Sequence, residues 1–475
     1  MSAIEGTIVS TAMPSIVASL NGLELMNWVF SIYLLMGAVM TPIYGKLADK
    51  LGRKPIFIIG ISLFVVGSFL CSLAPNMIFL IIARFIQGIG AGAILPISMT
   101  IIADMYSAEK RASIIGLNNA AWGIASIIAP MIGGFLVEKI SWHWIFLINV
   151  PIGIIVLLCI YFGLHENRQR ANRQPMDLKG TFLLAISLIS FLYFFQVTGE
   201  EVNAFFKPSY LLILLFSLVV FYLFLKVERK AIDPIVSLDL FKSNVFVVIS
   251  IVTFLISGFL ISLDVYVPMW LQLLNNESAT SSGMALASMS IMWMLGSFLV
   301  GKLINKISII KILWIGTFCL CISSTFMINF SISTSYWTFV LLGLLLGIGF
   351  GMSVTTTTIG VQEQVHESQL GTATSLNTLF RTIGQSIMVA LYGMTMNISL
   401  LNSHDKYPVI DNDLLNKYLN IQTRNTVPQH AIHDIKIIVH HMLHNIYVLA
   451  FITVLCSFIL VSSLVIRNYL LQKYK

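Results

Sequence analysis

Long apolar runs recur along the whole chain, and they limit its possible folds more than any other feature. Each run has about 20 residues, the length that a helix needs to cross the hydrocarbon layer of a membrane. Backbone groups in lipid must bond within their own segment, so we expect these runs to be helices. Fourteen spans are predicted, near residues 3–20, 27–46, 55–74, 77–103, 110–136, 144–164, 178–198, 209–226, 245–273, 281–301, 311–330, 336–358, 370–396 and 445–466.

The composition agrees with residence in a membrane. Apolar residues make up 57% of the 475 residues and charged residues 10%, with a mean hydropathy of +0.88. One water-soluble core of this length could not bury so much apolar surface. The net charge of +7 comes from Lys and Arg scattered over short loops, so we expect a lipid bilayer and no nucleic acid as partner.

The basic residues also predict the orientation of the chain. With fourteen spans, most of the 28 Lys and Arg fall in loops on the side that holds both termini. Basic loops are retained on the cytoplasmic side of a membrane. We therefore expect a multi-pass protein of the cell membrane with both termini in the cytoplasm.

Two short segments recur in the same order at nearly the same separation. Gly45–Lys50 (GKLADK) is similar to Gly301–Lys306 (GKLINK), and Gly88–Gly92 (GIGAG) is similar to Gly347–Gly351 (GIGFG). Glycine-rich membrane helices are common, so each match alone is weak, but together they indicate a duplication. In the span count, the separation equals eight helices, which is a six-helix half and an additional pair. We predict six-helix bundles at residues 1–164 and 245–475, a two-helix insert within 165–244, and an external loop at about 397–444.

The segment Gly45–Lys54 (GKLADKLGRK) places five charges and two glycines between two apolar runs. Any short basic loop would satisfy the orientation rule, but the whole pattern resembles the signature loop between the second and third helices of the major facilitator superfamily. The resemblance implies a transporter whose two bundles rock about a site near the membrane midplane. It also implies that Gly45, Asp49, Gly52 and Arg53 take part in the conformational change.

Further segments resemble the fourteen-helix drug/proton antiporter group of that superfamily. Ile4–Pro14 (IEGTIVSTAMP) is similar to the first-helix motif of the group, with Glu5 in place of the usual Asp. Ile81–Gly92 (IIARFIQGIGAG) resembles the fourth-helix motif, and Trp142–Gly153 (WHWIFLINVPIG) resembles another stretch of the same group, with His143 in place of Arg. The resemblance implies export of drugs driven by a proton gradient, with no other cofactor.

Three ionisable residues lie inside apolar runs, where charge is costly and generally functional. Glu5 and Arg84 are predicted to couple proton movement to transport, because a buried guanidinium needs acceptors and responds to a nearby carboxylate. Asp264 is a candidate for a second proton site or for a counter-ion of cationic substrates. The alternatives are a solvated helix end for Glu5, a purely structural clamp for Arg84 and a water-filled vestibule beside Asp264. The first run is short if Met1 is the true start, and we favour an earlier start codon over a shortened first helix.

Small residues and a proline mark the fifth run. Ala125–Gly134 (ASIIAPMIGG) resembles the fifth-helix motif of the antiporters. Pro130 would bend the helix, and Gly133 and Gly134 would let a neighbouring helix come close. Ordinary helix packing is the alternative. Arg381 matches an R-x-x-G pattern found late in these transporters, which implies a structural or gating role.

A substrate pocket is expected between the halves, lined by aromatic and polar side chains. The first candidates to test are Gln87, Asn118, Asn119, Trp122 and Tyr266. The expected cargo is hydrophobic and often cationic toxic compounds, carried by a monomer. A dedicated exporter of one metabolite, siderophore or antibiotic is the alternative within transport. A membrane sensor or scaffold without transport is the alternative of a different class.

The polar segment 397–444 carries six histidines. His440 and His444 would share one helical face, which would allow metal ligation, but no acidic or cysteine partner stands at a fixed spacing. We therefore predict a solvated loop without a metal. No Ser-His-Asp, zinc-binding or phosphate-binding motif is found, so we expect no enzymatic activity.

Overall fold

The structure is a computed structural model. It describes the chain except for residues 1, 21, 23, 106–124, 126, 127, 130, 165–176, 199–206, 232–237, 305, 366–369, 407–413, 415, 416, 419–426, 474 and 475. Some helical residues, among them Asp49, are described by their backbone alone. Helices dominate the described ranges, and eleven of the helices there are long and apolar enough to span a membrane.

The α-helices are numbered here in chain order. They are α1 Ser2–Leu20, α2 Met26–Leu51, α3 Arg53–Ser72, α4 Met77–Met105, α5 Trp144–Leu147, α6 Asn149–Gly163, α7 Leu178–Thr198, α8 Pro208–Glu228, α9 Asn244–Leu273, α10 Ala279–Leu303, α11 Ile309–Met327, α12 Tyr336–Gln362, α13 Leu370–Lys406 and α14 Gln429–Lys473. A 3₁₀-helix, Leu238–Lys242, precedes α9. Residues 131–139 are also helical. The all-helical membrane fold predicted from the sequence is confirmed, although most of the fifth predicted span lies outside the described residues.

The repeated glycines pack in equivalent ways. A Cβ atom at Gly88 would lie 2.6 Å from the Tyr33 carbonyl oxygen, so α4 comes very close to α2. A Cβ atom at Gly347 would lie 2.2 Å from the Met289 carbonyl oxygen, so α12 approaches α10 in the same way. Small residues permit such backbone contact between membrane helices. The two sequence repeats therefore correspond to two similar helix pairs, α2 with α4 and α10 with α12.

The pair α7 and α8 lies between these two sets of helices in the sequence. Helix α7 packs against α8 and also against α2 and α13, one helix from each predicted half. The rings of Trp28 on α2 and Tyr193 on α7 have centroids 6.3 Å apart. Much of α8 is exposed, as expected for a helix that faces lipid, and Leu212 and Tyr222 are each 64% exposed.

The predicted external loop at 397–444 is wrong at both ends. Helix α13 continues to Lys406 and α14 begins at Gln429. Ala431, Ile435 and Met442 form a buried stripe with helical spacing on α14. The many polar residues between them made this helical period hard to recognise in the sequence. The histidines at positions 433–444 thus lie on a helix that packs into the bundle.

Candidate functional site

A buried ion pair joins α1 to α4. Arg84 Nη1 donates to Glu5 Oε1, and both residues are almost completely buried. Arg84 lies seven residues from the start of α4, about 10 Å along the helix at 1.5 Å per residue. The alternative that Glu5 occupies a solvated helix end is therefore wrong.

Neighbouring groups accept two further hydrogen bonds from the guanidinium. Arg84 Nε donates to the Val29 carbonyl oxygen at 3.1 Å, and Nη1 also donates to Gln87 Oε1 at 2.7 Å. The guanidinium carbon lies 4.1 Å from the centre of the Tyr33 ring, a cation–π contact. Gln87 Nε2 in turn donates to Ser68 Oγ at 2.7 Å. A buried ion pair must offset a large desolvation cost, and these additional bonds contribute to that.

Asn149 completes the surroundings of Glu5, although no role was predicted for it from the sequence. Its Nδ2 donates to Glu5 Oε2 at 2.7 Å, and its side chain is fully buried. Helix α5 ends at Leu147 and α6 begins at Asn149, so the amide stands at the break between two helices. The available signal was a lone polar residue inside the apolar stretch WIFLINVPIG.

Asp264 lies apart from this pair, on α9 in the second half. Its side chain is 8% exposed. Within the described part of the chain, it has no hydrogen bond or ion pair. Two residues further along, Tyr266 Oη donates to Asn27 Oδ1 on α2 at 3.0 Å, and its ring meets that of Tyr392 edge to face at 5.9 Å. The structure thus places Tyr266 between the two halves.

The halves meet at the face of the bundle on which α1 ends and α2 begins, called here the α1–α2 face. The Thr280 N–H at the start of α10 donates to Glu138 Oε1 at 2.8 Å. One turn before Glu138, a Cβ atom at Gly134 would lie 2.5 Å from the Thr280 Cα. Burial raises the pKa of Glu138, but hydrogen bonds from Thr280 and Ser278 outweigh it and leave the pKa below its usual value. These contacts hold the two halves together at this face.

The remaining gating candidates occupy different environments. Gly52 has a φ of 100°, in the left-handed region, and joins α2 directly to α3. Gly45 has open space around it, and Arg53 is partly buried. Gly133 approaches α1, where a Cβ atom would lie 2.6 Å from Ile8 Cγ1. Arg381 on α13 is partly buried, and no described contact joins it to the ion pair.

Several predicted residues lie outside the description. They are Asn118, Asn119, Trp122 and Pro130, with the side chain of Asp49. Gln87, predicted to line the substrate pocket, is fully buried and uses both ends of its amide within the ion-pair network.

The histidines of α14 form a packed cluster. His440 Nε2 lies 3.0 Å from the Phe330 carbonyl oxygen, and the rings of His440 and His444 stack at 5.9 Å. The interpretation as a solvated loop is wrong for these two residues, which are partly buried. Among the residues that the structure describes, no group of three or more His, Cys, Asp or Glu is arranged to hold a metal ion.

A bundle of membrane-spanning helices that buries a few charged residues is the arrangement expected of a membrane transporter. Residues 1–389 match the Major Facilitator Superfamily, and the chain belongs to that family.

Curated relatives are similar over most of the chain. Multidrug transporter protein MdtP of Bacillus subtilis is 34% identical over 398 residues, which are 83% of this chain and 73% of that protein. Multidrug resistance protein 3 of Bacillus subtilis is also 34% identical, over 83% of this chain and 76% of the relative. Multidrug efflux pump SdrM of Staphylococcus aureus is 30% identical, over 85% and 90%.

Solved structures show the same fold. A bacterial homolog of the human lysosomal transporter Spinster, inward-facing and occupied, has a TM-score of 0.64 at 14% identity, covering 97% of this chain and 92% of its own. A D-xylose-proton symporter has a TM-score of 0.59 at 15% identity, covering 83% and 87%.

Proposed function

We propose that this transporter exports hydrophobic and cationic toxic compounds from the cell in exchange for protons. The relatives are named as multidrug transporters and efflux pumps, which supports the cargo class. The buried pair of Glu5 and Arg84 carries the proposal of proton coupling. The carboxyl of Glu5 can bind a proton, and its charge affects the contact between α1 and α4.

The physical link between proton and conformation is the unpaired cation. A proton on Glu5 removes the negative charge and leaves the Arg84 guanidinium buried without a counter-ion. Removing one partner of a buried ion pair costs about 3–5 kcal/mol. That cost favours any arrangement of α1 and α4 in which Arg84 finds another acceptor or water, so protonation shifts the balance between conformations.

Asp264 would serve as the counter-charge for cationic cargo. It is buried on α9 and has no ion-pair partner among the described residues, so a bound cation would satisfy it. Tyr266, two residues further along α9, lies at the contact between the halves. Cargo bound there would be sensed by both halves.

Alternating access would separate and rejoin the contacts at the α1–α2 face. The charge bias of the loops supports an extracellular position for this face and a cytoplasmic position for the Gly52 turn and both termini of a monomer in the cell membrane. Opening would break the bonds Tyr266–Asn27 and Thr280–Glu138. The α1–α2 face would then have to close again, and the opposite face to open, before Glu5 could release its proton to the cytoplasm.

Reconstituted vesicles with an imposed pH gradient test the proposal. A fluorescent lipophilic cation should accumulate in the vesicle lumen only when the gradient is present and the cytoplasmic face of the protein is on the outside of the vesicle. Glu5→Gln should abolish this dependence on the gradient, and Asp264→Asn should weaken transport of cations more than transport of neutral compounds. Asp239→Asn is the matched control, since its exposed carboxylate pairs with the exposed Lys242 at 2.7 Å.

Transport that ignores the gradient would refute proton coupling. Movement of one compound from a broad panel would favour the dedicated exporter of a metabolite, siderophore or antibiotic. No movement of any compound by folded protein would favour a membrane sensor or scaffold.

A further inference from the structure

The amide of Asn149 carries one satisfied group and one unsatisfied group. Its Nδ2 donates to Glu5 Oε2 at 2.7 Å, whereas its Oδ1 is buried and has no hydrogen-bond partner in the described structure. A buried acceptor without a partner is costly, and native structures retain few of them. This oxygen stands on the side chain that already touches the carboxylate of the ion pair.

A protonated carboxyl needs an acceptor, and Arg84, one of the two described hydrogen-bond partners of Glu5, cannot supply one. Arg84 has only donors. The Val29 carbonyl and Gln87 Oε1 already accept from Arg84. The other titratable groups near the pair are Tyr33 on α2 and Cys71 on α3.

We propose that Asn149 is a positioning residue that holds Glu5 in both of its charge states. It donates from Nδ2 to the ionised carboxylate, and it accepts at Oδ1 from the O–H of the protonated carboxyl. A half turn of the amide exchanges the two atoms, and the last torsion of an Asn side chain is broad enough to allow this. The inference rests on the proposed proton site at Glu5.

The break between α5 and α6 makes this amide available. Asn149 is the first residue of α6. The centre of the Phe146 ring on α5 lies 5.8 Å from the guanidinium carbon of Arg84. The stretch WIFLIN thus brings an apolar ring and an amide to the two members of the ion pair. An apolar residue of the same size at position 149 would leave Glu5 without a partner from α6 in either charge state.

Infrared difference spectroscopy on the full chain in lipid tests this directly. The protein is made with asparagine labelled at the side-chain carbonyl carbon, and spectra are recorded as the pH is lowered. We expect a carboxylic-acid band from Glu5, absent in Glu5→Gln, and a simultaneous downshift of one asparagine carbonyl band, absent in Asn149→Ser. Asn377, buried on α13 and bonded to Thr253, supplies a labelled carbonyl whose band should not move.

Transport supplies the second readout. Asn149→Leu removes both donor and acceptor and should lower the gradient-driven turnover about tenfold, with little change in the KM for cargo. Asn149→Ser keeps a hydroxyl that donates and accepts, and should retain most of the turnover.

The outcomes separate the inference from the proposed function. A Glu5 carboxylic-acid band without any asparagine shift overturns the role of Asn149 and leaves the proton site intact. Full turnover in Asn149→Leu overturns it as well. The absence of a Glu5 band at every pH that the folded protein tolerates would overturn the proton site itself, and the inference with it.

Discussion

Removing the carboxylate of the ion pair should destabilise the protein in a way that a second mutation reverses. Glu5→Gln keeps the size of the side chain and one acceptor oxygen, but it leaves the almost completely buried Arg84 without a counter-charge. The expected loss in the free energy of unfolding is about 3 kcal/mol, since truncating one partner of a buried pair costs about 3–5 kcal/mol and one hydrogen bond survives. This is a change of about two orders of magnitude in the unfolding equilibrium.

A double-mutant cycle measures the interaction itself. Arg84→Met removes the cation while keeping much of its apolar stem, so Glu5→Gln combined with Arg84→Met leaves no unpaired charge. We expect the double variant to be at least about 2 kcal/mol more stable than the sum of the single losses predicts. Chemical unfolding in detergent, followed by tryptophan fluorescence, gives all four free energies. Additive losses would show that the two side chains do not depend on each other and would refute the reasoning.

Three further predictions concern packing and gating. Gly52→Ala should lower the free energy of unfolding by about 1–3 kcal/mol because its φ of 100° suits only glycine; Gly45→Ala, with open space around it, is the control that should change little. Gly90→Ala should cost about 1–3 kcal/mol, since the new Cβ would lie 2.2 Å from the backbone nitrogen of Phe64, and the same unfolding assay would show it. The ionised Glu138, whose pKa lies below the usual value, should hold the α1–α2 face closed at neutral pH and release it only as the pH falls through that lowered pKa. Access of a thiol reagent to a cysteine placed at position 280 measures the opening. Access that does not depend on pH, or that is unchanged in Glu138→Gln, would contradict this role of Glu138.

Charge and periodicity in the sequence predicted most of the helices, and they marked Glu5 and Arg84 as ionisable residues inside apolar runs that need partners. Both predictions follow from one rule, which is that lipid forbids unpaired backbone groups and unpaired charges alike. The glycine repeats predicted the duplication because close approach of two helices requires a glycine at the equivalent position of each half.

Neutral and long-range features escaped the sequence. Asn149 carries no charge, so the sequence did not mark it as a functional residue, although an amide in an apolar run also needs a hydrogen-bond partner. The sequence did not predict the end of α13 or the start of α14, where polar side chains alternate with buried apolar ones in α14. The contact between Glu138 and Thr280 joins residues far apart in the chain, and no local pattern encodes it.

The duplication explains why the crossing of α10 and α12 holds no counterpart of the Glu5–Arg84 pair. By the separation between the repeated segments, Gly343 of α12 is equivalent to Arg84 of α4, and Ala285 of α10 is equivalent to Val29 of α2. In the first half, the Val29 carbonyl accepts from the guanidinium. In the second half, the Ala285 carbonyl lies 3.3 Å from where a Cβ at Gly343 would stand, and Ser288 Oγ lies 2.4 Å from it, so the same crossing has no room for a side chain. Because a side chain at position 343 would meet this backbone, the geometry places the buried cation in the first half, and Asp264, the counter-charge that we propose for cationic cargo, lies on a different helix of the second half.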